Sequence, residues 1–319
     1  MLEFSALADA CRPTFRLVQA STFAAPLETP LWPFDSGVTG HHGTVSASAL
    51  HAPLADRLRA VRGPDGAFPV SLDGRAEVEP TAVAALALDD GRARVWLARH
   101  LRADGSYHET DGRPDGPTSS ALAALALGDR GIARRALAYA IAHRGLPLPN
   151  ARDPNRRAAW GWTNDARSLV EPTARVLIAV NALTPDDAAT RREAMTLLLT
   201  RQCTDGGWNF GNASVYDVDL KSYPQTTAIA LIALQGAAQG LVGPALRYLA
   251  DAWRLEPGGL TLAQTVLALR LHGAALAAPL EAFRRLVTRT VGTSRPLALA
   301  WGALATGPEA LLEPLRSRA

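Results

Sequence analysis

One pattern recurs along the chain and limits its fold more than any other. A glycine turn is followed by an apolar segment led by Thr or Ala. The turns read GPDGAFP from Gly63, RADGSYH from Arg102, AWGWTND from Ala159, RQCTDGGWNFGN from Arg201 and a worn EPGGLTL from Glu256. The apolar partners are EPTAVAALAL from Glu79, GPTSSALAALAL from Gly116, EPTARVLIAVNAL from Glu171, PQTTAIALIALQG from Pro224 and TLAQTVLALRL from Thr261. A sixth, SRPLALAWGAL from Ser294, has no glycine turn. Anchoring on Thr81, Thr118, Thr173, Thr227, Thr265 and Leu297 gives spacings of 37, 55, 54, 38 and 32 residues. Repeats of that length are stacked supersecondary units.

More polar helical stretches alternate with these segments. In DRGIARRALAYAIAHRG, Ile132, Ala136, Leu137, Ala140 and Ile141 share one face. The segment DDAATRREAMTLLLTRQC begins with acids and ends near Arg201, matching the helix dipole. The apolar segments are greasy all round and need burial on every side. Alternating one-faced and fully apolar helices predict two concentric layers, an all-α (α/α)6 toroid with a bowl at one end. Gly206 and Gly207 permit the reversal, and Trp208 wedges between helix pairs. The predicted organisation is an irregular arm over 1–50 and one toroid over 51–319.

Composition narrows the function. A net charge of +3, with Lys221 the sole lysine and arginines scattered among acids, leaves no basic stripe for nucleic acid. Cys11 and Cys203 make neither a disulfide framework nor a Cys-rich zinc site. The start, MLEFSALADACRPTF, lacks a signal pattern, so a cytoplasmic location is expected. The uncharged run from Gln225 to Leu246 contains Gln235, Gln239 and glycines and reads as a core helix plus a turn.

RQCTDGGWNFG followed by TTAIALIAL resembles the QW-type repeat of the prenyltransferase and squalene-cyclase repeat family. The resemblance runs over about residues 50–305 as a repeat, with the full motif at Gln202 to Trp208. It implies an isoprenoid or similar apolar ligand in the central cavity. Cyclase-type members protonate a polyprene with an Asp-x-Asp-Asp-Thr-Ala motif at the start of an inner helix. EVEPTA, Glu77 to Ala82, is the matching stretch, with Glu79 in the proton donor's place, Glu77 at the first acid and Pro80 at the last. The same residues also make an efficient helix start, and EPTA recurs at Glu171.

Loops gathered at one mouth carry the expected ligand-binding residues: His108, Asp115, Trp160, Trp162, Glu171, Phe210, Tyr216, Asp217, Asp219 and Tyr223. Trp160, Trp162, Phe210 and Tyr223 suit a cation-facing role. Neither a cofactor nor a metal is expected. His272 reads as a satisfied core residue, and the adjacent His41 and His42 as solvated loop residues. Two other readings stay open. One is a non-catalytic binding or scaffold toroid. The other is a carbohydrate-active toroid using Glu79 with Glu171, or Asp115 with Asp217. A closed chamber would require a partner subunit, a membrane surface or the 1–50 arm as lid.

Overall fold

The computed structural model describes residues 47–72, 74–107, 116–147, 158–289 and 295–318. Helices in chain order are α1 (Ser48–Ala60), α2 (Val78–Leu88), α3 (Gly91–His100), α4 (Pro117–Ala126), α5 (Arg130–Ala142) and α6 (Val170–Leu183). There follow α7 (Ala188–Arg201), α8 (Pro224–Ala233), α9 (Gln239–Ala252), α10 (Gly259–Leu271), α11 (Ala277–Thr288), α12 (Pro296–Thr306) and the short α13 (Glu309–Leu312). A small hairpin, β1 (Ser214–Val215) with β2 (Val218–Asp219), lies between α7 and α8.

The even-numbered helices α2 to α12 form a closed ring. Each packs on the next, from α2 on α4 through α10 on α12, and α12 returns to α2. Outside it, α3 packs on α2, α5 on α4, α7 on α6, α9 on α8, α11 on α10 and α1 on α12. The chain is therefore an all-α toroid. Since an outer helix separates consecutive inner ones, the inner helices run parallel and their N-terminal ends share one mouth. The uncharged 225–246 run resolves into α8, a turn and part of α9. Among the described residues no helix is long and apolar enough to cross a membrane.

Small residues set the inner-helix register. Counting from the first residue of each inner helix, the fifth is Ala82, Ala121, Ala174, Ala228, Ala263 and Ala300. The tenth is Ala87, Ala126, Ala179, Ala233, Ala268 and Ala305, and all twelve are buried. At 100° per residue, positions 5 and 10 lie about 70° either side of the face made by positions 2, 6 and 9. Two flanks of alanine let neighbouring helices approach, and the face between them points to the ring axis.

This register corrects the threonine alignment. The fourth position carries Thr81, Ser120, Thr173 and Thr227, then Leu262 and Leu299, so Thr118, Thr265 and Leu297 are not equivalent to the others. Those hydroxyls fasten the preceding turn. The backbone N–H of Phe68 donates to Thr81 Oγ1 at 2.9 Å, that of Trp160 to Thr173 at 3.3 Å and that of Trp208 to Thr227 at 2.9 Å. Ser120 Oγ donates to the Gly105 carbonyl at 3.1 Å.

In three of the turns a buried aromatic residue caps the outer helix just completed; Phe68 is buried in its turn but has no donor with which to do so. Tyr107 donates to the Leu97 carbonyl at 3.0 Å, Trp160 to Ala140 at 2.7 Å and Trp208 to Leu198 at 2.7 Å. These carbonyls lie in the last turns of α3, α5 and α7, where helical partners run out; that of Leu97 also accepts from the Leu101 N–H at 3.2 Å. Glycine is needed beside them. Gly206 has φ 95°, and a Cβ there would lie 2.8 Å from the Pro244 carbonyl of α9.

Candidate functional site

The axis-facing positions build three levels below the mouth. Position 2 holds Glu79, Thr118, Glu171, Gln225, Leu260 and Leu297. Position 6, one turn deeper, holds Val83, Leu122, Arg175, Ile229, Gln264 and Trp301. Position 9 is a buried apolar layer of Leu86, Leu125, Ile178, Ile232, Leu267 and Leu304.

Arg175 dominates the upper two levels. Its Nη2 donates to Glu171 Oε1 at 2.8 Å within α6. Its Nη1 lies 2.6 Å from Glu79 Oε1 on α2, a close ion pair without hydrogen-bond angles. The ring inserts α4 between α2 and α6, so this contact is made across the mouth. Arg175 is 4% exposed, Glu171 7% and Glu79 25%, leaving Glu79 as the member open to solvent. Burial opposes the charge on Arg175, and Glu79 with Glu171 outweighs it, holding its pKa above the ordinary guanidinium value. The Trp162 ring lies over Arg175, 5.2 Å from Cζ to centroid.

The residues expected at the mouth divide into groups. Glu79, Glu171 and Trp162 meet at Arg175. Glu77 is the N-cap residue of α2; its carbonyl accepts from Thr81 Oγ1 at 2.6 Å. Phe210 and Tyr223 form a tilted ring pair with centroids 4.9 Å apart, both partly exposed. The Phe210 carbonyl accepts from the Val170 N–H at 3.0 Å, which ties this pair to the start of α6. Tyr216 and Asp217 form the tip of the β1–β2 hairpin, both with positive φ, and Tyr216 is 96% exposed. Asp219 is exposed on β2.

Trp160 is not on the mouth surface. It is fully buried, carries Arg144 over its ring at 4.0 Å and occupies the same place as Trp208. His108 and Asp115 lie outside the described residues, as do His41 and His42. His272 Nε2 lies 2.7 Å from the Leu231 carbonyl.

Arg175, Gln264 and Trp301 are not among the residues the sequence motifs single out. Each is a polar or amphipathic side chain inside an otherwise apolar inner segment, and a buried polar group carries more information than an apolar one. Glu79 and Glu171 are brought together, as a sugar-cleaving pair requires, yet a guanidinium fills the gap where the glycosidic oxygen would sit. A cavity of about 180 Å³ opens at the other end of the ring, between the ends of α4 and α6, and touches none of these residues.

No family model matches the chain, and no curated protein gives a significant match. Solved structures do resemble it. A protein from Actinoplanes is 18% identical with a TM-score of 0.51, over 78% of this chain and 82% of that one. The ligand-free type II terpene cyclase MstE from Scytonema is 18% identical with a TM-score of 0.50, over 79% and 81%. A single-residue variant of MstE, in complex with its substrate geranylgeranyl dihydroxybenzoate, is 16% identical with a TM-score of 0.46, over 80% and 73%. What is shared at these identities is the fold, an all-α toroid.

Proposed function

We propose that the chain binds an isoprenoid-type, largely apolar molecule along the ring axis and holds it without proton-initiated cyclisation. The Glu79–Arg175–Glu171 bridge carries this reading. In the register of a proton donor, Glu79 is the ion-pair partner of a buried guanidinium. Arg175 engages Glu79 in an ion pair, whereas a proton donor has to present a carboxylic acid to the polyprene. Pro80 stands where the motif's last acid would be. The layer beneath is uniformly Leu and Ile, the lining an apolar ligand would meet on entering the axis. Likeness to a type II terpene cyclase supports the ligand class, and it extends over 81% of that chain, so one ring of this size is enough for such a fold.

Incubation with squalene, prenyl alcohols and prenyl diphosphates, followed by product analysis, tests the reading. Ligand recovered unchanged is the expected result. Cyclised product would overturn it and favour a second reading, in which Glu79 protonates the polyprene. That alternative is supported by the register of Glu79 and its exposure at the mouth. It predicts that Glu79→Gln abolishes cyclisation.

A further inference from the structure

The middle level of the inner ring, at position 6, combines two kinds of side chain. Val83, Leu122 and Ile229 are apolar, whereas Arg175, Gln264 and Trp301 bring polar atoms to the same depth. Gln264 is 0% exposed, and neither its amide oxygen nor its amide nitrogen has a hydrogen-bond partner. Trp301 is 1% exposed with an unpartnered Nε1, and Nε of buried Arg175 is likewise unpartnered. Each buried orphan donor or acceptor is destabilising, and natural cores keep few of them. An apolar residue fits this level, since three of the six helices use one. The polarity at the other three therefore points to a partner that arrives from outside.

Placement and chemistry define that partner. The α10 and α12 helices are neighbours, so Gln264 and Trp301 flank one sector, and α6 lies across the axis from α12. Trp301 supplies one donor; Gln264 supplies two donors and an acceptor. Arg175 is already matched by two carboxylates at the level above, so an anionic head group would meet Glu79 and Glu171 on its way in. A hydroxyl oxygen is neutral. It accepts from Trp301 Nε1–H or the Gln264 amide and donates to the Gln264 oxygen. Val83, Leu122, Ile229 and the Leu and Ile layer remain for a hydrocarbon.

We infer that Gln264 and Trp301 form a head-group site for a neutral hydroxyl, so that the ring selects a long-chain prenyl-type alcohol over the corresponding hydrocarbon or diphosphate. This rests on the reading that the ring binds an isoprenoid-type molecule. The test is calorimetric binding of geranylgeraniol, its deoxygenated hydrocarbon and geranylgeranyl diphosphate to the full chain. The alcohol is expected to bind about tenfold or more tighter than either, one net hydrogen bond being worth about that factor. Gln264→Leu should erase the preference and raise the melting temperature of the ligand-free protein, because it removes an unsatisfied amide. Trp301→Phe should weaken alcohol binding about tenfold and leave hydrocarbon binding alone.

Equal binding of alcohol and hydrocarbon, or preference for the diphosphate, would overturn the head-group site and leave the isoprenoid reading standing. So would a Gln264→Leu protein that melts lower and keeps the preference, since the amide would then be satisfied by buried water. Failure of all three ligands to bind would overturn the isoprenoid reading and the head-group site together.

Discussion

In α2, α4, α6 and α8 the fourth residue is a hydroxyl bonded to the turn before it, whereas in α10 and α12 it is Leu262 and Leu299. The outer layer divides one helix earlier, at α9. Asp90, Asp129 and Asp187 cap α3, α5 and α7 with side-chain bonds, whereas Ala238 and Leu276 precede α9 and α11 without them. Both halves nevertheless keep alanine at positions 5 and 10 and complete one ring. Close approach of inner helices is thus the requirement for closure. The glycine turn, its buried aromatic and the hydroxyl form a joint to the outer layer, and α10 and α12 do without its hydroxyl.

The largest effect expected lies on the axis. Arg175→Met leaves Glu171 buried without its cation and should cost about 3–5 kcal/mol by chemical denaturation. Its counterpart in the other half, Gln264→Leu, should stabilise, so equal signs would abolish the contrast. Next, Gly206→Ala forces a side chain onto a left-handed backbone against the Pro244 carbonyl, for about 2–3 kcal/mol. Gly258→Ala, at α10, has no atom within 4 Å of the added carbon and should change stability by under about 1 kcal/mol. Comparable melting shifts for the two would mean that the turn does not distinguish the halves.

Thr227→Val strands the buried amide of Trp208 and should cost about 1–2 kcal/mol. The smallest effect is pH-dependent. Burial alone would raise the Asp90 pKa, but Arg62 and the amides of Ala93 and Arg92 hold it below the ordinary aspartate value. With the folded value depressed, its contribution is complete above the unfolded pKa and is lost as pH falls through the folded one. Asp90→Ala should therefore cost about 1 kcal/mol at neutral pH. The gap from the parent should narrow below about pH 3.9. A gap constant down to about pH 2.5 would show that the ion pair with Arg62 adds nothing.

Layering and ring were legible because an apolar-all-round helix beside a one-faced helix leaves little choice of packing. The register was harder. Threonine is the more conspicuous residue, yet it marks the joint and is missing from that position in three of the six repeats, whereas the alanine flanks are hidden in an alanine-rich chain. At the mouth, Glu79 and Glu171 could be singled out by their shared EPTA setting. Arg175 lies four residues beyond Glu171, but only the closed ring shows that it reaches α2. Trp160 and Trp162 look alike in sequence, and one residue of loop between them separates a core wedge from a partly exposed ring over Arg175.

Ring closure joins the two ends of the described chain. His51 Nδ1 lies 2.8 Å from the Ala303 carbonyl, 252 residues away, and Arg57 donates to the Val287 carbonyl, 230 residues away. The earliest described helix to leave the ribosome therefore has to wait for nearly the last before its greasy side is covered. Such distant pairing slows folding and prolongs exposure to aggregation. A circularly permuted chain that begins at α2 and ends with α1 would make α1 and α12 close in sequence and should fold faster for that reason.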